Sequence, residues 1–234
     1  MVNLQFTSPW NLCTPLVYRY LQAKYVDDFF EDGSLRLSSA ERFGQHPDEV
    51  RNDPDEGKAN FFHRTEEGGG QTIAAHIEQG QNAYILCGSA YFSPDLMDAF
   101  GADSYIRIND STAFGQAVSR HIPGFSGGAE GHCRYQSARA FERDLGFVDG
   151  INVTLPDGSP GYDQQRLLQV LNQGVGVVPI FLKGVHFAWQ AEYRLVWFSS
   201  GLASPYLEIK VPEARELCTK GNDFQIENVE PAST

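Results

Sequence analysis

Three short blocks of the sequence set polar side chains into otherwise apolar, strand-like surroundings, and they lie far apart along the chain. The first is Val17-Tyr18-Arg19-Tyr20. A guanidinium there either faces solvent or needs an anionic partner, because an unpaired buried charge is very costly; a carboxylate or a ligand phosphate would serve. The second is Ser89-Ala90-Tyr91-Phe92-Ser93, where a strand ends in hydroxyl groups and a helix begins. A hydroxyl at that junction can hold a neighbouring side chain or a ribose, or it can simply cap the helix announced by Pro94 and Asp95. The third runs from Phe187 to Trp197 and contains Gln190, Glu192 and Arg194. Where such a segment enters a strand, Gln190, Glu192 and Arg194 share one face, while Tyr193, Leu195 and Trp197 take the other. That polar face is either an ion-paired strand surface or a carboxylate and amide aimed at a site.

Only a fold can bring these blocks together, and the intervening sequence predicts its elements. A strand over 16–20 leads to a helix over 22–31, supported by Val26, Phe29 and Phe30 at helical spacing and by Gly33 where a C-terminal cap belongs. A strand over 34–38 follows. Residues 45–58 have loop chemistry, and the acids Asp48, Glu49, Asp53, Asp55 and Glu56 read as a solvated loop rather than a metal cage. Segments 59–64 and 71–77 suggest a hairpin with a flexible tip, and 83–92 a further strand. Ser93 starts a short helix ending near Gly101, 104–108 alternates like a strand, and Asp110 caps a helix through His121. The glycine-rich stretch 123–131 reads as a mobile loop, 133–137 as a strand and 155–161 as a turn. Leu167, Leu168, Val170 and Leu171 place the core face of a helix over 163–173. Segments 175–182, 193–198 and 206–211 are β-prone. The expectation is one compact α+β domain over 1–218, with a twisted mixed or antiparallel sheet and few helices, and a loosely ordered polar tail over 219–234.

Composition narrows the function classes. The 234 residues include 41% hydrophobic side chains, enough for a substantial core. Lysine and arginine number 18 against 30 acids, a formal charge of −12 that disfavours coating a polynucleotide or an anionic membrane. A single basic pocket for a small anion remains compatible with it. Neither a leader nor an apolar span is evident, so the expected location is the cytoplasm. Cys13, Cys87, Cys133 and Cys218 form no CxxC pair and read as reduced thiols, and the histidines lack metal-ligand spacing, so no metal is expected. Phosphate-loop, dinucleotide-fold and nucleophile-elbow signatures are absent.

The stretch from Tyr18-Arg19-Tyr20 to Phe43, with Asn52-Asp53-Pro54-Asp55-Glu56-Gly57, Lys183 and Gln190-Ala191-Glu192-Tyr193-Arg194, resembles a widespread family of uncharacterised bacterial and phage proteins. That resemblance carries no function. The same three blocks resemble, more distantly, mono-ADP-ribosyltransferases of the Arg–Ser–Glu type. This second resemblance implies a split β-sheet and NAD as substrate. In it Arg19 would hold the phosphates, Ser93 or less well Ser89 would support the site, and Gln190 with Glu192 would be the catalytic pair. The usual Ser-Thr-Ser is here Phe92-Ser93-Pro94. Breaking the nicotinamide–ribose bond builds positive charge on the ribose, which a carboxylate such as Glu192 would stabilise. Tyr18, Tyr20, Phe43 or Tyr91 could stack on nicotinamide, Arg194 could add a cofactor contact, and Gln190 could position an acceptor, a protein among the candidates. The setting implied is a bacterial or phage defence or toxin system.

Two other classes compete. Glu208-Ile209-Lys210 has the ExK spacing of metal-dependent nucleases, with Asp53, Asp55 or Glu192 as a further Mg²⁺ ligand. An acidic interaction protein would instead use residues 48–56 and Glu66-Glu67 as contact loops on a basic partner. The dinucleotide reading requires Arg19 and Glu192 on adjacent strands lining one cleft, less than about 15 Å apart, with Ser93 or Ser89 beside them.

Overall fold

The computed structural model describes residues 16–44, 50, 52–66, 70–146 and 148–222, and within them the chain is an α+β fold. The elements are β1 (Val17–Leu21), α1 (Ala23–Asp32), β2 (Ser34–Ser39), α2 (Ala40–Phe43), β3 (Lys58–Thr65), β4 (Gln71–Glu78), β5 (Ala83–Ser89), α3 (Pro94–Ala99), β6 (Ser104–Ile108) and α4 (Ser111–Ser119). They continue with β7 (Phe125–His132), β8 (Arg134–Gln136), β9 (Ala140–Glu142), β10 (Asn152–Thr154), β11 (Pro160–Tyr162), α5 (Gln164–Val175), β12 (Leu182–Gly184), β13 (Glu192–Ser199), β14 (Tyr206–Lys210) and β15 (Cys218–Asn222). Among the described residues, 3-10 turns at Val178–Phe181, Val185–Gln190 and Pro212–Leu217 complete the path.

The principal sheet is organised around β5. One edge of β5 pairs antiparallel with β13, from Glu192 opposite Ser89 to Phe198 opposite Ala83. Its other edge is shared: β2 pairs at Tyr84 and Ile85, and β1 pairs at Ser89. β1 and β2 therefore hold opposite ends of the same edge, and the sheet splits between them. β14 extends the β2 side, and β6 and β15 extend the β1 side. Gly88 lets β1 approach: a Cβ there would sit 2.6 Å from Val17 Cγ1 and 2.9 Å from the Tyr18 carbonyl oxygen. A second sheet, β4-β3-β9, packs its Phe61 and Ile73 against Val170 and Val175 of α5.

β13 is buried except at half-buried Phe198, because strands flank both its edges and cores cover both its faces. Tyr193, Leu195 and Trp197 enter the main core with Phe29, Leu86 and Phe114, as their alternation predicts. Val196 enters a second cluster with Ile85 and Ile180. Helix boundaries follow local chemistry. Ser93, Asp110 and Asp163 each accept a hydrogen bond from a first-turn amide, and Gly33 closes α1 at φ 82°.

Several expectations need correction. Segment 123–131 is no mobile loop but contains most of β7, which pairs with β13. Its glycines read as loop because they carry no side chain to pack, yet Gly127 and Gly128 sit opposite Phe198 and Trp197, where small residues accommodate large ones. Segment 175–182 is not a strand. Gly176 ends α5, Pro179 lacks the amide a ladder needs, and a 3-10 turn precedes β12. Leu168 points outward, 60% exposed. The strand expected to reach residue 92 stops at Ser89, and the polar segment after Cys218 continues in the sheet to Asn222. Cys87, Cys133 and Cys218 are free thiols, while Cys13, Asp48 and Glu49 lie outside the described residues. Among the described residues no helix is long and apolar enough to cross a membrane.

Candidate functional site

A cavity of about 210 Å³ opens where β1 and β2 part company, and Tyr18, Arg19, Ser89, Lys183, Gln190 and Glu192 all line it. Its back wall is one row across three strands: Tyr18 of β1, Ser89 of β5 and Glu192 of β13 are cross-strand partners. Neighbouring strands lie about 4.8 Å apart, so the ends of that row are separated by about 10 Å of backbone. Arg19 and Glu192 thus share one cleft, with one strand between them rather than on adjacent strands.

Glu192 is placed by the turn before it. Ala191 is the one non-glycine residue at positive φ (41°) among the described residues, a conformation costing on the order of 1–3 kcal/mol. It ends the 3-10 turn and turns Gln190 and Glu192 toward the same ammonium. Lys183 Nζ donates to Gln190 Oε1 at 2.8 Å and forms an ion pair with Glu192 Oε2. The other Glu192 oxygen accepts from Arg194 Nε at 2.5 Å. Arg194, 1% exposed, turns its remaining nitrogens to Glu56, with Nη2 donating to Oε2 at 2.8 Å, and to the Ile180 carbonyl. The result is a buried row of alternating charge, Lys183, Glu192, Arg194 and Glu56. Burial pushes the Glu192 carboxyl up, but the Arg194 and Lys183 charges outweigh it and hold it well below the usual carboxylate range. Burial likewise opposes the Lys183 ammonium, and Glu192 more than offsets that, so Lys183 stays a cation.

The acid string between β2 and β3 is not a solvated loop where it is described. Asp53 and Glu56 are buried, paired with Arg139 and Arg194. Gln190 Nε2 also donates to the Val50 carbonyl at 2.8 Å, which ties this segment to the cavity it helps wall. Asp55 remains outside, beside Lys58.

The other expected site residues divide. Arg19 reaches across the split, donating from Nη2 to the Arg36 carbonyl of β2 at 3.1 Å. Ser93 caps α3 by accepting from the Leu96 amide, and its own amide donates to Tyr20 Oη at 2.7 Å. Of the two serines, Ser89 lines the cavity and Ser93 does not. Tyr18, Tyr20 and Phe43 line the cavity, with the Tyr20 hydroxyl raised to about 12 by burial. Tyr91 is half exposed and donates to the Trp189 carbonyl at 3.1 Å. Arg194 lies behind Glu192 and not in the lining. Lys210 pairs with Asp32 on the edge strand β14, and Glu208 faces a different cavity. Among the described residues no group of three or more His, Cys, Asp or Glu side chains could hold a metal ion.

Glu56 and Arg139 were not identified from sequence as site residues. The one clue to Glu56 is charge balance: an arginine inside a buried strand needs more anion than a Glu192 that Lys183 also claims. No protein-family model matches the chain, and neither a curated protein nor a solved structure matches it.

Proposed function

We propose that the cleft between β1 and β2 binds NAD or a closely related dinucleotide, and that the protein acts as an ADP-ribosyltransferase. The observation that supports this most is the row joining Tyr18, Ser89 and Glu192, with Arg19 beside it, all facing one cavity. Arg19 would meet phosphate oxygens as a planar fork. Glu192, held ionised by its partners, would accept from the ribose hydroxyls; each carboxylate oxygen has two lone pairs, so its bonds to Lys183 and Arg194 leave capacity. As the nicotinamide–ribose bond breaks, its electron pair leaves with nicotinamide and positive charge grows on the ribose. The fixed Glu192 charge would stabilise that change. Water or an acceptor nucleophile near Gln190 would then complete the transfer.

One observation favours a second reading, a cleft that binds without turnover. Glu192 already has two cationic partners, and a carboxylate so neutralised stabilises a growing positive charge less. Thermal-shift titration with NAD, followed by chromatographic assay of nicotinamide release, separates the two. The transferase reading expects stabilisation by NAD and release that disappears in Glu192→Gln. Stabilisation without release supports the binding reading, and no shift at millimolar NAD refutes both.

A further inference from the structure

The cavity that holds Glu192 measures about 210 Å³, below the roughly 300–1,000 Å³ usual for a small-molecule site, so a whole dinucleotide must extend beyond it. A second, larger cavity of about 620 Å³ adjoins it. The two share Arg19, Leu21, Arg36 and Phe100, so these residues form a waist between an inner and an outer chamber. Arg36 projects from β2 with its guanidinium over the Tyr206 ring, 4.8 Å from the centroid. Among the described residues no carboxylate forms an ion pair with it, although Glu208 is its cross-strand neighbour on β14 and the protein as a whole carries a charge of −12. The outer chamber has apolar floor residues in Leu35 and Ile106, an aromatic ring in Tyr25, and carboxylates in Asp28 and Glu208. A flat apolar and aromatic surface suits a base, and a carboxylate suits the vicinal hydroxyls of a ribose.

We propose that the outer chamber is a nucleoside site and that Arg36, together with Arg19, holds a diphosphate at the waist. The inner chamber then receives only the second half of the ligand, an assignment that rests on the dinucleotide reading above. The outer site does not depend on turnover, and its chemistry can be probed with ADP, which lacks the inner half.

Binding of ADP, inorganic pyrophosphate, nicotinamide mononucleotide and NAD is measured by calorimetry on the wild type, Arg36→Gln and Arg64→Gln. Arg64 is exposed on β3 in the second sheet and controls for the lost charge. The proposal expects ADP to bind the wild type and Arg64→Gln alike, more tightly than pyrophosphate, and Arg36→Gln to weaken ADP about tenfold or more. Absence of ADP binding overturns it, as does ADP binding unchanged in Arg36→Gln. Pyrophosphate binding as tightly as ADP removes the nucleoside site. ADP binding with no response to NAD or the mononucleotide supports the outer site and refutes the dinucleotide reading. Binding of the mononucleotide without ADP does the reverse.

Discussion

Replacing Arg194 by methionine tests the buried charge row. The variant keeps much of the side-chain volume and removes the cation that bonds both Glu192 and Glu56. Lys183 still neutralises Glu192, but Glu56, 8% exposed, loses its charged partner and cannot regain water without displacing the segment that carries it. Breaking a buried pair on one side costs about 3–5 kcal/mol, a large part of the roughly 5–15 kcal/mol that holds a typical domain together. For a chain of this size each kcal/mol moves the midpoint by about 2–4 °C, so Tm should fall by about 6–20 °C. Adding Glu56→Leu should recover part of the loss, because no charge is then left buried without a partner. Circular dichroism melts of the wild type, the single and the double variant provide the comparison. A single variant melting within about 2 °C of the wild type, or a double variant less stable than the single, would show that Arg194 does not stabilise the fold by neutralising Glu56.

Further expectations concern smaller perturbations. Gly88→Ala should drive a methyl group into Val17 and the Tyr18 carbonyl, costing about 1–3 kcal/mol of overpacking and loosening β1 at the cavity, visible as a lower Tm and a weaker NAD response. Asp110→Ala removes the cap that accepts from the Ala113 amide and should cost about 1 kcal/mol in a denaturant titration, with no effect on the cleft. Glu192 has a folded pKa below its ordinary value of 4.5, so the unfolded state binds more protons in that window. Its contribution to stability is present above that value and lost as pH falls below it. Glu192→Gln should therefore flatten the acid limb of the stability profile relative to the wild type, and identical slopes below pH 4.5 would contradict the assignment.

What the sequence reveals depends on how local the cause is. Ser93, Asp110, Asp163 and Gly33 act within one helical turn, and each sits where its residue type predicts. The two faces of β13 were readable because side-chain alternation is a property of a single strand. The same locality shows Ser93 as a cap and leaves Ser89 unmarked. That capping chemistry was evident, but only the pairing of β1 with β5 puts Ser89 into the cavity. β7 was missed because its glycines make sense only opposite Trp197 and Phe198. Glu56 meets Arg194 from 138 residues away, so its burial and its partner do not follow from its neighbours in the chain. Arg36 takes its place at the waist of two chambers only from the split between β1 and β2.

Calorimetric titration of NAD into the wild type and Arg19→Gln tests the proposed dinucleotide site of the split sheet. The expected result is saturable one-to-one binding with a dissociation constant below about 1 mM, equivalent to roughly 4 kcal/mol, weakened about tenfold or more in the variant. No binding heat at millimolar NAD, or equal affinity in the two proteins, would contradict it.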